Sequence, residues 1–316
     1  MRKIIALILL ASILMVFAGC ARTPQDTQGT TQDGQLSPLT IGTLPAIDSL
    51  PLFIAYTQGF FEDEGLTVNL ERFFSPVDRD IAFQTGDNID GKIFDLVQLA
   101  VYQEAGIDAV ATISTSGMAS LVGAPDIHSV EDLRGQRVLM TTNTSMDYIL
   151  DRALSSVGMV MSDIITYEVP ALPIRLEMLL HEQAEGAILP DPFSTMALEH
   201  GYNIVATTVE LGINPFILAF RREVTETRLP ELQALYRAIN RAVEFLNTAD
   251  REEFIDELIQ TVGFPQHVRD TLIIPPFPRY VLPRIDVVED ILDFTRDRGL
   301  LTLDITPEDI IFDIGN

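Results

Sequence analysis

The chain has 316 residues, about the length of two ordinary domains, and its 47% hydrophobic content argues against a disordered polypeptide. It carries 46 acidic and 21 basic residues, a formal net charge of −25, so its surface repels a phosphate backbone and nucleic acid is a poor partner. The single cysteine, Cys20, cannot form an internal disulfide.

The segment 1–20 has the pattern of a signal peptide. Arg2 and Lys3 precede an apolar run over 4–17, which is too short to cross the ~30 Å hydrocarbon core of a bilayer comfortably. Two small residues then lead to Cys20, and this ending resembles a bacterial lipobox. The resemblance implies cleavage before Cys20 and acylation of its thiol (palmitate), which anchors a protein on the extracytoplasmic face of the cell membrane. An ordinary secretory leader with a chance cysteine is the alternative.

Residues 21–38 are rich in Thr, Gln, Gly and Asp and show no apolar periodicity, which predicts a flexible linker. The folded body then begins, and over 39–123 strand and helix patterns alternate. The predicted strands are LTIG, LTVNLERF, KIFDLVQL and DAVATIS, and the predicted helices are LFIAYTQGFFEDEG, SPVDRDIAFQTG (with Ser75 as N-cap) and AVYQEAG. This alternation indicates a mostly parallel sheet flanked by helices.

A second α/β unit is predicted over 124–216. Its strands RVLMTT, IITYEV, GAILP and YNIVAT alternate with the helices NTSMDYILDRALSSVG, PIRLEMLLHEQ and PFSTMALEHG. The apolar stretch FILAF can return to the first sheet, and most of the remaining chain is helical. The predicted domains are therefore a first lobe of 39–123 plus 217–316 and a second lobe of 124–216.

Several stretches resemble one family of proteins. The pattern P-x-x-x-A-x-x-x-G-x-F-x-x-x-G-L occurs at Pro51, Ala55, Gly59, Phe61, Gly65 and Leu66, and GAILPDPFSTMALEHG contains an A-x-L-P-D-P segment. Together they resemble the type II periplasmic binding proteins of the sulfonate, nitrate and thiamine-precursor (NMT1/SsuA-like) group, over roughly residues 39–300. Lys92, in a stretch that is usually apolar or small, departs from that pattern.

The resemblance implies an α/β, two-lobed periplasmic binding protein-like II fold with crossover hinge strands and a ligand in the interlobe cleft. Ligands of open α/β sheets lie at the carboxyl ends of the strands, where helix N-termini favour anions. The polar residues of the strand-to-helix loops are therefore the candidate ligand contacts: Asp48, Ser49, Gln98, Thr142, Asn143, Thr144, Ser145, Asp191 and Asn214. Helix capping or turn formation is the alternative role for most of them.

Other residues are predicted to have structural or surface roles. Arg79, flanked by two acids, is expected to be a solvated surface charge, and Tyr56 and Phe83 are expected in the core. The four histidines, His128, His181, His200 and His267, are scattered without a zinc-binding spacing, which predicts surface or capping positions and no metal site. Neither a P-loop nor a G-x-S-x-G motif occurs, and no cofactor is expected.

The most probable function from these patterns is a monomeric, lipid-anchored receptor that delivers a small polar ligand to an ABC importer permease and its ATPase. An enzyme of the same fold (pyrimidine synthase-like or menaquinone-pathway-like) and a sensory binding lipoprotein are the alternatives. The sequence does not identify the ligand, and the candidates are a sulfonate, nitrate, or a pyrimidine or similar amine-bearing heterocycle. The small number of basic residues in the candidate loops favours the heterocycle.

Overall fold

A computed structural model describes residues 36–74, 76–86, 89–279 and 281–315. The predicted signal peptide, Cys20, nearly all of the linker and Ser75 lie outside the described residues. The strands are β1 (Leu39–Thr43), β2 (Val68–Arg72), β3 (Gly91–Asp95), β4 (Ala109–Ser114), β5 (Ala119–Gly123), β6 (Arg137–Met140), β7 (Ile165–Glu168), β8 (Gly186–Pro190), β9 (Asn203–Thr207) and β10 (Phe216–Arg221).

The strands form two sheets with the same plan. The first has the order β2-β1-β3-β10-β4 and the second β7-β6-β8-β5-β9. In each sheet the first three strands are parallel, and the fourth runs antiparallel to both of its neighbours. We call the first sheet and its helices lobe 1, and the second sheet and its helices lobe 2. The predicted two-lobed α/β architecture with mostly parallel sheets is confirmed.

The helices follow the strands in the predicted order. They are α1 (Leu50–Thr57), α2 (Phe60–Asp63), α3 (Pro76–Thr85), α4 (Leu96–Glu104), α5 (Ser145–Ser156), α6 (Leu172–Leu180), α7 (Phe193–Glu199), α8 (Arg222–Thr227), α9 (Leu229–Thr248), α10 (Ile255–Val262), α11 (Ile285–Asp297) and α12 (Pro307–Ile310). The helix expected over LFIAYTQGFFEDEG is two helices, because Gly59 between them has a left-handed φ of 71°.

Two boundaries differ from the sequence-based expectation. The strand expected over KIFDLVQL ends at Asp95, whose side chain caps α4 by accepting a hydrogen bond from the backbone of Gln98. The strand β5, for which no strand was predicted, lies between β8 and β9 in the second sheet. Strand pairing therefore favours a change of lobe after β4, whereas the predicted first lobe continued to residue 123.

Two crossover segments join the lobes, one between β4 and β5 and one between β9 and β10. They touch each other, since the backbone N–H of Thr115 donates to the carbonyl of Phe216 at 3.0 Å. Asn214 ties them further, because its Nδ2 donates to the carbonyl of Thr115 at 2.6 Å and to Ser114 Oγ at 3.0 Å. A Cβ on Gly117 would lie 2.3 Å from the ring of Phe216, so only glycine fits at this crossing.

A continuous apolar seam connects the lobes behind the crossovers. Helix α4 of lobe 1 packs against α11, and both pack against α5 of lobe 2 within one hydrophobic cluster. The ring of Tyr148 meets that of Phe294 edge-on at 5.4 Å, and its hydroxyl donates to Asp290 at 2.7 Å. The lobes therefore share part of their interior and are not independent bodies.

Candidate functional site

A cleft of about 350 Å³ lies between the two lobes. Its walls come from the loops that follow β1, β2 and β3 in lobe 1 and β6, β7 and β8 in lobe 2, at the carboxyl ends of parallel strands. Much of the wall is apolar and includes Ile47, Phe94, Met118, Met146, Leu172 and Phe193. A few polar side chains interrupt these walls, which is the usual composition of a small-molecule site.

Asp48 is the polar residue of the β1–α1 connection. It is 8% exposed, lies in a short 3₁₀ turn, and its Oδ1 is buried with no hydrogen-bond partner in the part of the chain that the structure describes. Loss of water raises the pKa of its carboxyl to about 6, an effect that the positive charge of Arg79 moderates. A buried acceptor without a donor is costly, so Asp48 is well suited to receive an N–H or O–H group from a ligand.

Arg79 lies on α3 and is 4% exposed, so the expectation of a solvated surface charge is wrong. Its Nε and Nη2 donate to Oδ1 of Asp80 at 3.0 and 2.8 Å, and the buried amine of Lys92 donates to the same oxygen at 2.8 Å. Arg79 and Asp80 both line the cleft. The acidic neighbour that suggested exposure is in fact the partner that makes burial of the guanidinium possible.

Lys92, on β3, is the second cation that donates to Asp80. Its side chain is fully buried, and its Nζ lies 3.3 Å from the ring centroid of Phe94 and 4.3 Å from that of Tyr102. Burial lowers the pKa of Lys92 to about 7, with Arg79 adding to the decrease and Asp80 opposing it. Aromatic faces and one shared carboxylate thus hold an amine that can lose its proton near neutral pH.

The third lobe 1 loop follows β3. Asp95 accepts a hydrogen bond from the backbone N–H of Gln98 at 2.9 Å, and burial raises the pKa of the Asp95 carboxyl to about 6. The side chain of Gln98 lines the cleft and is half-buried. Gln98 lies in the first turn of α4, where an amide can reach a bound molecule without disturbing the cap.

Arg175 is the basic residue that lobe 2 contributes to the described lining of the cleft. It is fully buried and lines the cleft, and its guanidinium donates to the carbonyls of Val169 at 2.9 Å and Ile188 at 2.7 Å. Its Nη2 also donates to Thr141 Oγ1. Arg175 therefore connects the ends of β6, β7 and β8 through neutral acceptors, and loss of water lowers its pKa to about 10.

The N-terminus of α5 lies beside Thr141. Thr144 caps the helix, since its Oγ1 accepts from the backbone N–H of Met146 at 3.2 Å and donates to the carbonyl of Thr141 at 2.9 Å. Ser145, the first helical residue, is 2% exposed and lines the cleft. The end of α5 thus places Ser145 and a partial positive charge at the cleft.

Asp191 lies at the carboxyl end of β8, and its bond to Pro192 is cis. Its Oδ1 accepts hydrogen bonds from the hydroxyl of Ser194 and from both the backbone N–H (3.2 Å) and the hydroxyl (2.7 Å) of Thr195. It is 2% exposed and lines the cleft. Asp191 therefore supports the first turn of α7 and also lines the cleft, and its contact with a ligand stays a prediction.

The structure brings part of the predicted contact set together. The predicted contacts that line the cleft are Asp48, Gln98, Thr144, Ser145 and Asp191. The others lie outside its lining: Ser49 donates to the carbonyl of Leu44, Thr142 donates its N–H to Glu168, Asn143 has a left-handed φ of 58°, and Asn214 joins the crossovers. Tyr56 is 48% exposed, contrary to its predicted core position, whereas Phe83 is fully buried as expected and all four histidines lie at the surface.

Two cleft residues, Asp80 and Arg175, were not predicted, although their sequence surroundings contain a signal. Arg175 falls between Leu172 and Leu176 on the stripe that also contains Leu179, which is the buried face of α6. A charge on an apolar stripe must be paired or hydrogen-bonded internally, and such a position usually serves a ligand or a structural network. The signal for Asp80 is its position next to Arg79. Arg79 and Phe83 lie four residues apart on the buried face of α3, and a guanidinium on that face needs an acidic partner close to it.

The two sheets of equivalent topology and the cleft between them define the architecture of a periplasmic binding protein. The chain belongs to the NMT1-like family, whose profile matches residues 32–263. A comparison with curated protein sequences found no match. In the part of the chain that the structure describes, no helix has the length and hydrophobicity of a membrane span, and no group of three or more His, Cys, Asp or Glu could hold a metal ion.

Solved structures share the fold. The periplasmic aliphatic sulphonate-binding protein SsuA from Escherichia coli superposes with a TM-score of 0.74 at 19% identity, covering 87% of this chain and 92% of that one. The periplasmic nitrate-binding protein NrtA from Synechocystis gives 0.67 at 15% identity, with 84% and 83% covered. The enzyme DszB, solved as a Cys-to-Ser mutant with biphenyl-2-sulfinic acid, gives 0.66 at 12% identity, with 87% and 96% covered.

Proposed function

We propose that this protein is an extracytoplasmic solute-binding receptor that captures a small polar molecule in the interlobe cleft and delivers it to an ABC importer. The observation that carries the proposal is the cleft itself, where the loops of two hinged lobes face each other with polar groups on both walls. A ligand that contacts both walls favours the closed arrangement of the lobes, which a permease can distinguish from the open one.

The similar proteins support this role, since SsuA and NrtA are named for binding sulphonate and nitrate. The candidate ligands remain a sulfonate, nitrate, or a pyrimidine or similar amine-bearing heterocycle. The sequence favoured a heterocycle because the candidate loops contain few basic residues. In the cleft, Arg79 and Arg175 supply basic groups from helices, so that reason no longer holds. The partnerless oxygen of Asp48 favours an amine-bearing ligand, and the lobe 2 donors favour an anion.

The proposal includes a lipid anchor at Cys20 and a monomer that is tethered by residues 21–38 outside the cytoplasm. An enzyme is the alternative, and DszB shows that this fold can host one. Among the described residues that line the cleft there is no His or Cys, so the usual partners of nucleophilic catalysis are not present in that lining. A receptor therefore fits the cleft better than an enzyme.

Native ligand capture tests the proposal. The purified body, residues 36–316, is incubated with an extract of the source cells, washed and denatured, and the released small molecules are identified by mass spectrometry. We expect one compound at near-equimolar amount, chemically unchanged, whose uptake is lost in a gene deletion and restored by the full chain. Conversion of the captured compound by the protein would favour the enzyme, and unaltered uptake in the deletion strain would contradict delivery to an importer.

A further inference from the structure

The two walls of the cleft carry unsatisfied groups of opposite character. On lobe 1 the Oδ1 atom of Asp48 is buried and accepts no hydrogen bond from the residues that the structure describes. The cation whose charge acts on Asp48 is Arg79, and it is already engaged because it donates to Oδ1 of Asp80, as Lys92 also does. A donor that enters the cleft, above all a positively charged N–H group, would complete the coordination of Asp48.

On lobe 2 the unsatisfied charge is positive. The guanidinium of Arg175 is buried and donates to two carbonyls and to Thr141, all of them uncharged. The nearby acid Glu168 accepts from the backbone N–H of Thr142 at 2.8 Å and makes no hydrogen bond to Arg175 within the described residues. A buried cation without a bonded counter-ion is stabilised by an anion that binds close to it.

The path from Arg175 to the cleft runs through Thr141. Thr141 Oγ1 accepts a hydrogen bond from Arg175, which leaves its hydroxyl proton to be donated to another acceptor, and Thr141 lines the cleft. Ser145 adds a second hydroxyl at the start of α5, a helix of 12 residues whose dipole also favours negative charge. Arg175 is thus a positioning residue for hydroxyl donors that face the ligand.

We infer that the ligand is dipolar, with a cationic N–H group on Asp48, an anionic group on Thr141 and Ser145, and an apolar body between them. This inference rests on the proposed receptor function and deepens it. The remaining acids of the cleft do not compete for the cation to the same degree, because Asp95 caps α4 and Oδ1 of Asp191 accepts three hydrogen bonds. A dipolar molecule would join the two lobes through opposite charges, whereas a simple anion or amine would satisfy one wall.

Three matched probes test the inference by isothermal titration calorimetry with the purified body. They are 4-(aminomethyl)benzenesulfonate, which is dipolar, toluene-4-sulfonate, which is anionic, and 4-methylbenzylamine, which is cationic. We expect the dipolar probe to bind about tenfold or more tightly than either singly charged probe, since one charge-assisted hydrogen bond contributes roughly that factor. Affinities within twofold of each other, or no binding of the dipolar probe, would overturn the inference.

Variants test which residues bind the cationic group and which bind the anionic group of the dipolar probe. Asp48→Asn keeps the shape of the side chain and should remove the advantage of the dipolar probe over toluene-4-sulfonate. The double variant Thr141→Val/Ser145→Ala should remove its advantage over 4-methylbenzylamine, and the exposed Asp126→Asn controls for net charge. Equal loss for all probes in either cleft variant would overturn the assignment. Binding of singly charged probes alone would refute the dipolar ligand and leave the receptor function supported, while the uptake test judges that function separately.

Discussion

Replacement of Lys92 by Met should make the protein less dependent on pH for its stability. The amine is fully buried, and its pKa falls from 10.5 in the unfolded chain to about 7 in the folded one. Between these values the unfolded state binds more protons at this amine than the folded state, so the contribution of Lys92 to the free energy of unfolding rises as pH increases from about 7 towards 10.5 and is lowest below pH 7.

The magnitude follows from that difference. Each pKa unit corresponds to about 1.4 kcal/mol, so wild type should gain roughly 2 kcal/mol of unfolding free energy between about pH 7 and pH 9, where the folded amine starts half-protonated. Lys92→Met should lack this gain. Burial raises the pKa of the neighbouring Tyr102 to about 12, so its hydroxyl keeps its proton throughout this interval.

Urea denaturation at several pH values measures the effect. Tyr102→Phe is the matched control, because it removes the hydroxyl that accepts from Lys92 at 2.9 Å but keeps the buried amine. We expect wild type and Tyr102→Phe to share the pH slope and Lys92→Met to lose it. If the curves of wild type and Lys92→Met run parallel, the amine is not titrating in the folded state and the reasoning is refuted.

Three further changes have defined outcomes. Asp191→Ala should weaken binding of the captured ligand by about tenfold and cost about 1 kcal/mol in urea denaturation through the lost α7 contacts, and unchanged affinity by calorimetry would remove Asp191 from the site. Gly91→Ala places a Cβ 2.4 Å from the ring of Phe220 and should lower the unfolding free energy by about 1–3 kcal/mol, which a wild-type melting temperature would contradict. Cys20→Ala should move the full chain from the membrane to the soluble fraction, and retention in the membrane fraction would refute the lipid anchor.

The order of strands and helices could be predicted because apolar periodicity differs between them, but the boundaries depended on single side chains. Five of the eight residues of KIFDLVQL are apolar, and periodicity over so short a stretch cannot separate a buried strand from the helix that follows it. Asp95 in the middle of that stretch is an N-cap and marks the boundary. Strand β5 was missed because five buried residues after a glycine carry no alternation.

The cleft lining was predictable only where it follows the strands. Asp48, Gln98, Thr144, Ser145 and Asp191 come after strands, so the topology rule placed them at the cleft, and their contact with a ligand stays a prediction. Arg79 and Arg175 lie on helices, and their burial depends on partners from other elements: Asp80 and Lys92 for the first, and the ends of three strands for the second. Tertiary pairing of this kind cannot be read from the residues on either side in the sequence.

The seam formed by α4, α5 and α11 limits how far the two lobes can separate. A wide separation of the lobes would move Tyr148 away from Phe294 and expose packed apolar residues to water. The free-energy cost of that exposure grows with the apolar area involved. Exchange of a small molecule should therefore need only a small opening at the solvent edge of the cleft, with the apolar contacts of the seam kept intact.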